Sequence, residues 1–398
     1  MNSNMRLLML GNLVVGSGSL VIAGILTPIS RDLHVSVATA GQFMTAYALA
    51  FALSAPMVAV LLGKWCRKRV LMLALGLFAL AAGLGAVSPN FEMMLASRVL
   101  AGIAGAMFSP NAAAVATLLA PPEQRGRAIA VVFGGFTLAT VFGVPLGSYL
   151  GLQIGWRETL AQVSAASVIM LIFLVRGLPE GLQVPRVQLA GWVQLGRDKT
   201  VLMLLGVSLL QIAGTYTVFG FIGPFLANRV QSASADQIAL MLMLFGAAGF
   251  IGNWLGGRAI DRFGPAKITA VNITLVTAGL LTVAQSEGSL TVLLTGIVLW
   301  GGNVFSINTA QQTLLVTYKP ALTAALLPAN SSVLFAGQAL GTLAGGLALS
   351  SIPGSGFDLL PLIGAAFAVA ALGLLSLVTL LSPQIKDAAE PADGLLQG

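Results

Sequence analysis

The chain has 398 residues, 57% of them hydrophobic and only 8% charged, with a formal net charge of +7. Soluble globular domains carry roughly 25% charged residues, so a chain this long and this poor in charge cannot cover a water-facing surface, and most of it must face lipid. One cysteine, Cys66, and one histidine, His34, exclude a disulfide framework and a Cys- or His-built metal centre, no cofactor motif is present, and basic residues scattered through short loops argue against nucleic acid as the partner.

Twelve apolar runs follow one another, near 7–29, 38–62, 70–88, 93–119, 128–151, 159–176, 201–226, 237–257, 268–285, 290–316, 322–350 and 359–381. Each is read as a membrane helix, for which roughly 20 apolar residues suffice. The first run, behind Arg6, is longer than a signal-peptide core and is expected to be retained. Asp32 and His34 lie just after it, and a basic loop, Lys64 to Arg69, follows the second. Arg98 stands about six residues into the fourth span; an intramembrane arginine costs at least roughly 2.5–3.5 kcal/mol, so it must face the protein interior or snorkel to the nearby interface. In the fifth span Gly143, Pro145 and Gly147 combine a helix breaker with small residues that admit a close neighbour.

The longest connection, 177–200, holds Pro179, Pro185, Gly181 and Gly191 and reads as a linker. It divides the chain into a first six-helix bundle at 1–176 and a second at 201–383, with a polar tail at 384–398. Twelve spans place both termini on one side, and that side collects sixteen of the twenty basic residues against three (Arg31, Arg157, Arg229) on the other. The asymmetry assigns the termini to the cytoplasm. The halves also repeat at an offset near 198: Phe108-Ser109-Pro110-Asn111 answers to Phe305-Ser306-Ile307-Asn308, and Phe133, Gly135, Leu138 and Gly143 recur at identical spacing as Phe335, Gly337, Leu340 and Gly345. Two parallel six-span repeats describe a carrier whose halves rock about a midplane site.

Several stretches carry a family resemblance. Gly257-Arg258-Ala259-Ile260-Asp261-Arg262-Phe263-Gly264, Arg98-Val99-Leu100-Ala101-Gly102, Gly143-Val144-Pro145-Leu146-Gly147 and Trp156-Arg157 resemble motifs of the major facilitator superfamily. Val21-Ile22-Ala23-Gly24 and Thr45-Ala46-Tyr47-Ala48-Leu49 resemble its twelve-span drug, sugar and nucleoside efflux group, the drug:proton antiporters. The resemblance implies an all-α membrane protein, twelve transmembrane helices in two pseudo-symmetric six-helix bundles, acting as a monomer in a bacterial-type cytoplasmic membrane. It implies export of a small molecule in exchange for protons, and not an enzyme. Gating falls to Asp261 and Arg262 with Lys64 and Arg67, and to Arg98 and Gly102 in span 4. Gly143, Pro145 and Gly147 give a kinked span 5 that limits leak.

The resemblance also implies that spans 1, 4, 7 and 10 line the substrate cavity. Their uncharged polar residues are the substrate candidates: Asn12 and Ser19 in span 1, Asn111 in span 4, Gln211 and Thr215 on one face of span 7, and Asn303, Asn308 and Gln311 in span 10, with Gln42 and Tyr47 of span 2 within reach. A set so free of charge points to a neutral or weakly amphipathic solute such as a sugar, a nucleoside or an uncharged drug. Two departures stand out. Gly63 occupies the place of the first-half motif's aspartate, and Ser19 the place where efflux relatives often carry a carboxylate. With no Asp or Glu in the middle of any span, the proton-coupling candidates are Asp32, His34 and Arg98, and an uncoupled facilitator, an uptake carrier or a transporter-like receptor are the alternatives.

Overall fold

The computed structural model describes residues 3–121, 124–183, 189–230, 233–351 and 356–382. Regular structure among them is helical. In chain order the helices are α1 (Ser3–Gly24), α2 (Leu26–Asp32), α3 (Val37–Ala40), α4 (Gln42–Leu61), α5 (Arg67–Ala86), α6 (Phe91–Leu119), α7 (Arg125–Leu138), α8 (Val144–Gln153), α9 (Trp156–Gly177), α10 (Leu189–Arg197), α11 (Lys199–Phe219), α12 (Ile222–Arg229), α13 (Ala235–Phe263), α14 (Pro265–Ala284), α15 (Leu290–Tyr318), α16 (Thr323–Ser351) and α17 (Gly356–Leu381). Among the described residues twelve spans are long and apolar enough to cross a membrane, and they coincide with the twelve predicted runs. With water absent from the bilayer core, the backbone must satisfy its own hydrogen bonds, and an apolar run of this length does so as a helix.

Three elements differ in detail from the sequence expectation. Spans 1 and 7 are each broken near one end, at Ile25 (φ −113°) and at Phe221 (φ −122°). Both breaks stand three residues before a proline, Pro28 and Pro224. A proline has no N–H for the carbonyl four residues back and its ring crowds that carbonyl, so the ladder parts at Gly24 and Gly220. The 257–264 motif, which starts where the predicted span 237–257 ends, continues the helix. Helix α13 runs on through Phe263, and the chain turns only at Gly264, whose φ of +81° favours glycine. In span 5 a π-helical turn, Ala139–Gly143, separates α7 from α8, just ahead of Pro145. A π-turn absorbs the register shift a proline imposes.

The chain divides into two compact units, Met1–Val187 with Phe219–Met243, and Gln188–Val218 with Leu244–Gly398. In the first unit a stripe of glycines on span 5 seats α1 in parallel register. Gly135 faces Met9, Gly143 faces Ser17, Gly147 faces Val21 and Gly151 faces Ile25, and a Cβ at any of them would collide with that partner. In the second unit Gly337 and Gly341 of α16 close in the same way on the carbonyls of Leu209 and Ala213 of α11. The repeat extends to other contacts. Gly102 of α6 sits on the Tyr47 carbonyl of α4, and Gly301 of α15 sits on Phe245 of α13. Asn90 caps α6 and Ser289 caps α15, each accepting from the backbone three residues on. Pro185, Arg186, Lys386 and the 384–398 tail lie outside the described residues.

Candidate functional site

The polar candidates of the first unit fall into three groups. Asn12 is fully buried and donates to the Val132 carbonyl of α7 at 3.0 Å, while Ser109 of α6 donates to its Oδ1 at 2.6 Å. Asn12 thus ties three helices together. Two turns into α6, Arg98 is only 2% exposed. It donates to the carbonyls of Gly18 and Ser19 at 3.3 Å each and lies 5.1 Å from the centroid of the Tyr47 ring. The Ser19 hydroxyl turns back onto the Gly16 carbonyl at 2.8 Å. Toward the far end of α6, the Arg67 guanidinium donates to Asn111 Oδ1 at 3.1 Å and to the Leu62 carbonyl at 3.3 Å, and the Arg67 backbone N–H donates to the Leu182 carbonyl at 2.8 Å. A gating candidate and a substrate candidate therefore share one bond. It joins the 62–66 loop to span 4 and to the segment after span 6, where Lys68 approaches Glu180 at 4.0 Å.

The remaining first-unit candidates lie at the surface. Gln42 and Lys64 are exposed. Asp32 is ion-paired with Arg157, which also donates to the Ser88 carbonyl at 2.9 Å and stacks over Trp156. His34 has φ +54°, and the Val35 N–H closes on the Ser30 carbonyl at 2.9 Å, so His34 forms the turn that ends α2.

In the second unit α11 and α15 meet along a polar seam. Gln211 donates to Asn308 Oδ1 at 2.7 Å, and Gln311 donates to the Leu204 carbonyl at 2.7 Å. Four further polar atoms on this seam are buried without a hydrogen-bond partner: Ser208 Oγ, Gln211 Oε1, Thr215 Oγ1 and Gln311 Oε1. Ser208, Gln211 and Thr215 occupy one face of α11. Asn303 instead satisfies itself on the Leu299 carbonyl at 2.7 Å. Ser306 turns to α14, where it accepts from Asn272 at 2.7 Å. Asp261 and Arg262 are exposed in the last turn of α13; being consecutive they do not face each other, and Arg262 lies over the Phe263 ring at 5.2 Å. Their neighbour Ile260 is buried with Ile268 of α14 and Ala310 of α15.

Sequence reasoning overlooked Ser208, Asn330 and Gln338. Asn330 and Gln338 are buried in α16, with both side-chain polar atoms of Asn330 and Gln338 Nε2 lacking a partner. The signal that found Gln211, a polar side chain inside an apolar run, applies to them equally.

Twelve apolar spans in a repeated arrangement, with polar side chains buried between helices, define a multi-pass membrane transporter of small molecules. Residues 8–345 match the sequence profile of the Major Facilitator Superfamily, and the chain belongs to that family. It is 33% identical over 302 residues to a chloramphenicol resistance protein of Streptomyces lividans, covering 74% of this chain and 76% of that one. It is 28% identical over 382 residues to the inner membrane transport protein YdhP of Escherichia coli K12, covering 95% and 96%. Its fold is similar to that of a bacterial homologue of the human lysosomal transporter Spinster (TM-score 0.77, 18% identity, 96% and 97% covered). It is similar also to that of a D-xylose-proton symporter (TM-score 0.76, 16% identity, 93% and 96% covered).

Proposed function

We propose that this chain is a secondary active transporter that exports a small neutral or amphipathic solute (a sugar, a nucleoside or an uncharged drug) by alternating access, in exchange for protons. It works as a monomer in a bacterial-type cytoplasmic membrane, with both termini cytoplasmic. Bundles 1–176 and 201–383, joined by the linker 177–200, are the moving halves. The observation that carries the substrate class is the α11–α15 seam. The Gln211 and Gln311 amide nitrogens each spend one N–H on a protein carbonyl, while their two carbonyl oxygens and the Ser208 and Thr215 hydroxyls face no protein partner. Such a set favours a solute that brings hydroxyl or N–H donors and no charge, because a buried acceptor left unmatched costs roughly 1–3 kcal/mol. Chloramphenicol, the compound in the name of the Streptomyces lividans relative, is a neutral molecule with hydroxyl and amide donors.

Labelled chloramphenicol, a labelled hexose and a labelled nucleoside, each offered to everted vesicles, test the reading. One of them should accumulate only with the protein present, and Gln311→Leu and Asn308→Ala should raise its half-saturating concentration about tenfold, near 1.4 kcal/mol. Unchanged half-saturation in both variants would remove the seam from the substrate path.

Proton exchange draws on the span-5 motif, whose Gly143 and Gly147 hold α1 close. A second reading, an uncoupled facilitator of the same solute, is favoured by Ser19, which stands where efflux relatives often place a carboxylate.

A further inference from the structure

Arg98 carries a positive charge into the interior of the first unit, and no carboxylate among the described residues pairs with it. Its bonds go to two backbone carbonyls at 3.3 Å, its Nε has no partner, and its other neighbour is the Tyr47 ring. None of the ion pairs formed among the described residues includes it. Carbonyl dipoles and a ring face supply partial charges only, and a buried ion without a counter-charge is costly to hold.

Packing does not require an arginine there. Gly102 of α6 sits on Tyr47 and Gly301 of α15 sits on Phe245; aligned on that contact, Ile297 stands where Arg98 does and Phe245 of α13 answers to Tyr47. Ile297 and Phe245 are both buried, and Phe245 lies edge-on against Trp300 at 4.8 Å. The same architecture is therefore built from apolar residues in the second unit, and the charge in the first serves something other than the fold.

We infer that Arg98 is the binding site for a small monovalent anion, either a free halide or the carboxylate of a solute. Its uncommitted N–H groups hold the anion, and the anion supplies the missing counter-charge. The inference goes beyond the transport of a neutral solute and does not depend on it.

The test is direct binding of ³⁶Cl⁻ and of ¹⁴C-benzoate to the purified full chain in lipid nanodiscs, in gluconate buffer at fixed ionic strength. Saturable binding of one or both anions, near one per chain, is expected. Arg98→Gln should abolish it, and Arg98→Lys, which keeps the charge but loses the forked donor geometry, should weaken it about tenfold. Chloride alone assigns the site to an inorganic ion, benzoate alone to a solute's carboxylate, and mutual displacement to both. No saturable binding of either anion by the unmodified chain would overturn the inference. So would affinity unchanged in Arg98→Lys, a readout that holds even where Arg98→Gln fails to purify. Either failure would leave neutral-solute flux, measured separately, standing.

Discussion

His34 and Asn12 show how a candidate's surroundings decide its task. With φ +54°, His34 sits in the left-handed region, where an L-residue is strained by roughly 1–2 kcal/mol. Glycine recovers that strain at an entropic cost of about 0.5–1 kcal/mol. His34→Gly should therefore leave the thermal unfolding midpoint unchanged or slightly raised, with solute flux intact; lost flux would return His34 to the proton path. Asn12 bonds α6 and α7 at once, and intramembrane polar contacts average about 0.6 kcal/mol, so Asn12→Ala should cost about 1 kcal/mol in unfolding measurements. Asn303→Ala, which removes only a bond within its own helix, should cost less. That Asn12, Asn111 and Gln211 are turned inward was legible from polarity alone, because a lipid-facing amide has no partner. Which partner each one meets was not: Arg67 and Asn111 are 44 residues apart, and their bond exists only because α5 packs on α6.

At the scale of elements, the twelve spans were readable because length and hydropathy alone decide them. The breaks at Ile25 and Phe221 were also written in the chain, as Pro28 and Pro224, but continuous apolarity hides a kink. The span-5 glycines make a sharper prediction. A Cβ at Gly135 would strike the Met9 backbone carbonyl, which cannot swing aside, whereas nothing lies within 4 Å of one at Gly134. Gly135→Ala should thus lose about 1–3 kcal/mol, as overpacking does. Gly134→Ala should be neutral or gain about 0.5–1 kcal/mol from helix propensity. Equal effects at the two positions would show that the stripe does not set the helix spacing. In the second unit, Asp198 both caps the start of α11 and pairs at 3.0 Å with Lys319, just past α15. The hydrogen bond and charge of Asp198 hold Lys319 above the ordinary lysine range. A raised lysine stabilises fully below its unfolded pKa, about 10.4, and loses that contribution as pH climbs through the folded value. Asp198→Asn keeps the cap and removes the pair. Its unfolding midpoint should fall short of the unmodified chain's by a constant gap at neutral pH that closes only above about pH 10.4.

Across the whole molecule, the two repeats share helix contacts and differ in chemistry. The first unit carries Arg98, Tyr47 and the Arg67–Asn111 bond, and the second carries the acceptor-rich α11–α15 seam. The common architecture was legible from the 198-residue offset. The division of labour was not, since it depends on which polar atoms find partners after packing. Transport of a donor-bearing neutral solute against protons joins these features, and everted membrane vesicles under an inside-acid pH gradient test it most directly. Adding chloramphenicol, a hexose and a nucleoside in turn while following internal pH should give proton release with one of them, only with the protein present, and reduced by Gln311→Leu. Labelled-solute flux with no change in internal pH would contradict proton exchange and leave an uncoupled facilitator.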